Sequence, residues 1–543
     1  MTKTQVLIAG GGPVGMTLAL ELARYGVPSI LVERNATTTR HPKMDLTNGR
    51  TMELFARLNI TEKLRDAGVP RENPFDIAWI TSLSGHELHR FHYPSANEFT
   101  EQIRTRNDGT QPSQAPLRVS QIDIEPVLKA LIDQSPLVDV RFDTAFERII
   151  EEKDDHLVVE IKNQSSGKID HVSCAYLAGC DGGGSRVRRR AGIELDGDMH
   201  VAGAYMVHFR SNDIGLLQKW GITWHYQTGS GTLIAQNDRD TWTLQAWLPP
   251  GDTGETWRAE EVLEAWVGTH FDYEILQANP WTAHFVVSQS YRKGRILLAG
   301  DAAHQYIPTG GYGMNSGIAD AIGLAWVITA NLQGWGGSAL LDAYEQERRA
   351  TAWQCLNASK RHMAVRAEIG RLYQLAGELE GADESAVARR ESLAAQIAAL
   401  GNAENESWGV ELGYRYLSPV IACDEDTAGV VMDPLHYSPL TEAGFRLPHL
   451  FLENGESIHS KLGLQFSLIV FEDDIAADAM ISLFAETASH MGVPLTVVKV
   501  VEDQAKAIFK KRYILVRPDQ HIAWSGDDLP DNCEALLRKV TGR

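Results

Sequence analysis

The chain has 543 residues, with 71 acidic against 51 basic side chains and a net charge of −20. That length divides into roughly two to four domains, and the acidic balance disfavours nucleic acid and anionic membrane surfaces as partners. Cys174, Cys180, Cys355, Cys423 and Cys533 form no Cys-x-x-Cys pair, and no apolar run reaches the ~20 residues of a membrane span, so the expectation is reduced thiols, a cytoplasmic location and no metal centre.

The first element is an apolar strand, Gln5–Ala9, followed at once by Gly10-x-Gly12-x-x-Gly15, a helix from Pro13 to Tyr25, a strand from Ser29 to Val32, and Glu33. In such a unit Gly10 permits a tight turn, Gly12 lets a pyrophosphate approach the backbone and Gly15 lets helix pack on strand. The helix start at Pro13 and Val14 offers free N–H groups to phosphates, and Glu33, with Arg34 beside it, closes the second strand where a ribose hydroxyl would sit. These residues alone fit either NAD or the adenosine half of FAD. "KMDLTNGRTMELF" then places Asp45 five residues before Arg50, and "LRVSQIDIE" carries Arg118 and Gln121. "YLAGCDGGGSRVRRRAGI" puts Asp181 at a strand end before a basic helix start. "GDAAHQYIPTGGYGMNSG" puts Asp301 at another strand end, ahead of a glycine-rich loop and a helical pattern from Ile318 to Ala330. Three strand-end sites suit one long, extended cofactor better than a nicotinamide dinucleotide.

The remaining patterning divides the chain. A discontinuous α/β domain carrying the three strand-end sites is expected from 1–75, 105–190 and 285–365, which the resemblance named below makes the FAD-binding domain. Two inserts, 76–104 and 191–284, are expected to form an antiparallel sheet, because "ITWHYQ" and "TWTLQAWL" alternate β-branched and aromatic residues. A helical linker is expected over 366–442, and a strand-and-turn domain over 443–543.

Taken together, the glycine triplet with Glu33, "DGGGSRVRR" and "GDAAHQYIPTGGYGMNSG" resemble the single-component FAD-dependent aromatic hydroxylases, over nearly the whole chain. "GVELGYRYLSP" and the last hundred residues resemble the phenol hydroxylase subgroup, with its thioredoxin-like C-terminal domain, here without a redox cysteine pair. The resemblance implies a Rossmann-like FAD-binding domain, an inserted substrate sheet and non-covalent FAD. It implies NADPH or NADH as transient reductant, O2, and a small aromatic substrate hydroxylated through a flavin C4a-hydroperoxide; a homodimer stays open. It also implies that Asp301 bonds the ribityl chain, that Gly313, Met314 and Asn315 hold the ring edge, that Pro308 lies beside flavin and substrate, and that Arg50, Arg118, Gln121 and Asp181 belong to the FAD site.

In this subgroup an acid at the offset of Asp45 is the base that makes a phenol nucleophilic. An ordinary Asp faces a phenol with a mismatch of ~6 pKa units, roughly 8 kcal/mol, which burial would narrow if it raised the Asp. The bland alternative for Asp45 is a cap on a helix starting near Thr47. By strand position alone, His225, Tyr226, Gln236 and Trp242 are candidates for the substrate pocket. Epoxidation, oxidative decarboxylation or ring-expanding oxygenation of a larger polycyclic substrate is the alternative chemistry. A flavin halogenase is disfavoured by the absence of Trp-x-Trp-x-Ile-Pro.

Overall fold

The computed structural model describes residues 1–423, 432–472 and 475–543. Its first sheet explains why the opening strand is so apolar: Val6, Leu7, Ile8 and Ala9 are buried in the middle of a parallel sheet covered on both faces. Five of its eight strands run Ile296–Leu298, Ile169–Gly179, Thr2–Ala9, Ser29–Val32 and Val138–Arg141 in spatial order, all parallel, while Arg292–Lys293, Leu157–Asn163 and Thr144–Glu152 join antiparallel. Helix Pro13–Arg24 makes the first crossover and packs against the long helix Tyr312–Leu332. Ligands of such sheets bind beyond the carboxyl ends of the strands. Gly10, Glu33, Asp181 and Asp301 follow four of those ends.

A second, eight-stranded sheet orders His304–Gln305, Glu274–Ser288, Leu195–Arg210, Thr241–Trp247, Gly231–Ala235, His225–Thr228, Ile77–Ile80 and Glu87–Phe91. It is antiparallel apart from the His225–Thr228 and Ile77–Ile80 pair. Two stretches far apart in sequence therefore build one sheet. One face buries Leu233, Leu244 and Trp242 against helix Ala259–Val267.

The helical stretch opens with Ala339–Ala376, 38 residues long, followed by Glu384–Leu400, whose Leu393 and Ile397 pack with Trp79 and Ile369 at the edge of the second sheet. The expected linker, 366–442, includes 424–431, which lie outside the described residues. The C-terminal domain has a four-stranded sheet ordered Leu495–Lys499, Phe466–Val470, Tyr513–Val516, Ile522–Gly526. Its first pair is parallel and the rest antiparallel, with helices Ile475–His490, Asp503–Phe509 and Cys533–Val540. This is the thioredoxin-like arrangement. All five cysteines are free thiols. Phe466 seats edge-on against Trp326 and Trp335 of the first domain.

Candidate functional site

The glycine triplet forms a cradle whose three members do different work. A Cβ on Gly10, which adopts φ +113°, would lie 2.1 Å from the Cys180 carbonyl oxygen, and one on Gly15 would lie 2.0 Å from the Gly10 oxygen. These two glycines are fixed by the protein itself. Gly12 is different: its nearest neighbour would be Glu125 Oε1 at 4.0 Å, so its open face suits a phosphate rather than a packing partner. The helix behind it begins with Pro13 and Val14 and has no side-chain cap, which leaves its first N–H groups free for an anion. Glu33 accepts from the Gly11 N–H at 2.8 Å and the Asn35 N–H at 2.8 Å, bracing the loop, while Arg34 is exposed beside it.

At the other end of the cradle, Asp301 stands exposed on a short 3-10 turn, Gly300–Ala302, with no hydrogen-bond partner among the described residues. Helix Tyr312–Leu332 starts after Gly311, which adopts φ +66°, again without a side-chain cap. A Cβ on Gly313 would meet nothing within 4 Å. Met314 is half-buried and Pro308 exposed. Asn315 is a clamp: its amide donates to the Leu46 and Gly311 carbonyls at 3.1 and 2.7 Å and accepts from the Asn48 N–H at 3.1 Å. The open glycine faces, two uncapped helix starts and one unpartnered carboxylate fit an extended dinucleotide with a planar ring.

Several expected cofactor contacts also have protein partners of their own. Asp181 accepts from the Ser185 hydroxyl at 2.5 Å and from the Arg186 and Val187 N–H groups at 2.6 and 3.1 Å, so it caps the short helix Arg186–Ala191. Gln121 donates to Glu125 at 2.7 Å. Arg118 forms a two-pronged ion pair with Asp238, both contacts at 2.8 Å, tying the first domain to the second sheet. Arg50 turns to the C-terminal domain, donating to Gln520 Oε1 at 2.6 Å and the Asp519 carbonyl at 2.8 Å.

The cap alternative for Asp45 does not hold: helix Gly49–Arg57 is capped by Asn48, whose Oδ1 accepts from the Thr51 N–H at 2.9 Å. Asp45 Oδ2 instead accepts from the Trp224 indole N–H at 2.6 Å and lies 3.4 Å from His225 Nε2. Burial opposes its charge, but His225 and Trp224, with Arg118 further off, outweigh that and hold the carboxyl below its ordinary value. This is opposite to the upward shift that would narrow the gap to a phenol.

His225 and Tyr226 are neighbours on one strand and so face opposite sides. His225 faces Asp45. Tyr226 and Trp242 lie fully buried in the layer under helix Ala259–Val267, with the Tyr226 hydroxyl 2.5 Å from the Gly221 carbonyl. Gln236 shares the parity of His225, because His225 pairs with Ile234 two residues before it. Buried His225 Nδ1, Gln236 Oε1 and both amide atoms of Gln227 have no partner among the described residues. Native interiors rarely leave such groups unpaired without a water or ligand to satisfy them.

Beside Leu46 and Trp224 lies a cavity of 400 Å³ walled by Phe75, Phe99 and Trp408 and lined also by Glu411. Sequence reasoning missed this wall. Trp408 and Glu411 belong to the stretch read as a linker, and the signal was "GVELGYRY", whose Glu411 sits between Val410 and Leu412. It also missed Asp320, the fully buried carboxylate that accepts from the Gly300 N–H and His304 Nε2, each at 2.9 Å.

Residues 3–359 match the family described as FAD binding domain, and residues 440–543 match Aromatic-ring hydroxylase, C-terminal. The FAD-dependent monooxygenase apdD of Emericella nidulans is 36% identical, the match covering 99% of this chain and 90% of that protein. The 2,4-dichlorophenol 6-monooxygenase of Cupriavidus pinatubonensis is 28% identical over 100% of this chain and 97% of its own. Among solved structures, the rebeccamycin biosynthetic enzyme RebC with reduced flavin superposes with a TM-score of 0.88 at 29% identity, covering 100% and 99% of the two chains. Aklavinone-11 hydroxylase in a ternary complex with FAD and aklavinone gives 0.83 at 25% identity, with both chains fully covered. Among the described residues no helix is long and apolar enough to cross a membrane. With the family match spanning more than half of the chain and full-length relatives on both counts, this protein belongs to the FAD-dependent aromatic-ring monooxygenases.

Proposed function

We propose that this monooxygenase hydroxylates a phenolic aromatic substrate, with NADPH or NADH as reductant and O2 as the oxygen source. The observation that carries the reading is the Asp45–His225 pair beside an aromatic-walled cavity. Gly10 to Gly15 would hold the pyrophosphate of FAD, Asp301 a ribityl hydroxyl, and the N–H groups at Gly313 and Met314 the ring edge. FAD supplies the activation of O2 when bound. The chain's own task is to position the ring, exclude water and take the phenolic proton. With its carboxyl held low, Asp45 is a poor direct base, so it serves best by holding His225 Nε2–H, which leaves buried Nδ1 as the acceptor for that proton. The Trp224 ring lies against the imidazole, centroids 4.1 Å apart and tilted by 36°, and restricts its plane.

A second reading keeps the fold and changes the reaction: epoxidation, oxidative decarboxylation or ring-expanding oxygenation of a larger polycyclic substrate. The cavity volume of 400 Å³ and the structural likeness to RebC with bound 7-carboxy-K252c favour it. The test is a panel of phenols and fused-ring aromatics scored for stimulated NAD(P)H oxidation and product mass. Loss of carbon dioxide supports oxidative decarboxylation. A gain of one oxygen is shared by hydroxylation, epoxidation and ring expansion, and the product's NMR spectrum then decides, a new phenolic hydroxyl on an intact ring supporting hydroxylation. NAD(P)H oxidation that no aromatic stimulates would sink both.

A further inference from the structure

Glu411 is a charged residue type without a counter-charge. It sits on a five-residue helix, Trp408–Leu412, half-buried, and it lines the 400 Å³ cavity. No group among the described residues donates a hydrogen bond to it or forms an ion pair with it. The other acids of the cavity are satisfied: Glu404 is clamped by Arg366 and Glu406 accepts from the Tyr93 hydroxyl at 2.6 Å. The basic side chains are also engaged, Arg106 with Asp108 at 3.3 Å and the His436 ring with Asp433 at 3.1 Å. The remaining wall is aromatic, and Trp224 belongs both to it and to the Asp45 site. A polar group left open in an otherwise satisfied aromatic pocket is how ligand sites fix orientation.

We infer that Glu411 is a substrate-contacting acid, hydrogen-bonded through its carboxyl to a carbonyl or phenolic oxygen on a planar aromatic ligand in this cavity. The inference rests on the proposed reading only for the ligand being the substrate. Desolvation alone pushes the Glu411 carboxyl up to about 8, so at neutral pH it carries its proton. The groups packed against it do not compete over that range. Tyr312, at the start of the flavin-loop helix, is pushed far above its ordinary value by burial, and Cys355 on the long helix is pushed up to about 11. Glu404 is held low by Arg366 and stays charged. Below about 8 the cavity thus offers a donor; above it, a carboxylate that repels an oxygen lone pair.

The experiment compares fluorenone with fluorene, which have the same rings with and without the carbonyl and no titratable group. Binding to the FAD-loaded protein is measured by equilibrium dialysis from pH 6.5 to 9.5, without NAD(P)H, so the result is independent of whether the protein oxygenates anything. Fluorenone is expected to bind about 3- to 10-fold tighter than fluorene at pH 7, and the advantage to vanish by pH 9.5. Glu411→Gln, whose amide still donates, keeps the advantage at every pH, and Glu411→Ala loses it throughout. His436→Asn keeps the wild-type pH profile. Equal binding of the two probes at pH 7, an unchanged profile in Glu411→Gln, or a profile abolished by His436→Asn would each overturn the inference.

Discussion

Replacing Asp320 by Asn tests whether the flavin loop is held by a buried charge. Asp320 is fully buried and its two oxygens take three donors: the Gly300 N–H and His304 Nε2 on one, Arg348 Nε at 2.6 Å on the other. Burial works against the charge, yet Arg348 and then His304 hold the carboxyl below its ordinary value. Its contribution to stability is therefore complete above the unfolded Asp value near 4 and is lost as pH falls through the lower folded value. Asn keeps the shape but removes the charge, leaving the Arg348 guanidinium buried without its counter-ion. Breaking a buried pair from one side costs about 3–5 kcal/mol. Gly300 immediately precedes Asp301, so loosening its N–H by one hydrogen bond should also weaken FAD binding about tenfold. The assays are urea unfolding followed by tryptophan fluorescence and FAD affinity by flavin fluorescence. The variant should unfold at clearly lower urea at pH 7, and the gap should shrink as the buffer is taken toward pH 3. The double variant Asp320→Leu with Arg348→Met should recover much of the loss, because no charge is then stranded. Coincident unfolding curves and equal FAD affinities at pH 7 would refute the argument.

Three further outcomes are expected. Asp301→Ala should weaken FAD binding roughly ten- to a hundredfold by titration, while the melting temperature of the apoprotein stays within error, since the side chain is exposed and makes no contact the fold needs. Gly12→Ala should fold normally but lose its yellow colour, whereas Gly15→Ala should lose both fold and flavin, because only the second places a Cβ 2.0 Å from a carbonyl oxygen; paired melting and absorbance scans separate the two. Asp45→Asn should slow single-turnover hydroxylation by ~10²–10⁴-fold at neutral pH, with the defect shrinking toward pH 9.5 as more phenol ionises unaided; a normal rate at pH 7 would reduce Asp45 to a tether for Trp224.

The parts of the site legible in the sequence are those whose chemistry is local. The Gly10, Gly12 and Gly15 spacing, Glu33 and the turn before Asp301 all lie within a few residues of the strand ends that place them. The parts that escaped are choices among distant partners. Arg50 matches a position that touches FAD in the family it resembles, and nothing local in the sequence shows that Gln520, 470 residues away, also engages it. The same holds for Arg118 and Asp238. The alternation around His225 and Tyr226 shows that they face opposite sides, but which side meets the active site is set by helix Ala259–Val267 covering one of them. Glu411 carries no local mark of its position, because its burial comes from aromatic residues gathered from four separate stretches.

How three domains hold one site is visible in three consecutive residues of the long helix Ala339–Ala376. Successive side chains on a helix diverge by ~100°, so neighbours reach different surroundings. Glu347 receives both prongs of Arg517 from the C-terminal domain, at 2.7 and 2.8 Å. Arg348 holds Asp320 and so the flavin loop, and donates to the Tyr416 hydroxyl at 2.9 Å. Arg349 reaches Asp196 and the Ser288 carbonyl of the second sheet, each at 2.9 Å. Glu347 and Arg348 are buried, so a domain shift that stranded either would cost kilocalories, whereas the half-exposed Arg349 pair is worth far less. The C-terminal domain is joined to the FAD-binding domain through Glu347, and again through Arg50 and the Glu53–Arg446 pair. The second sheet is anchored elsewhere as well, by the buried Arg118–Asp238 pair and by Tyr373 of the same helix, whose hydroxyl donates to the Ile80 carbonyl at 2.8 Å, so the weak Arg349 pair is not its sole tie.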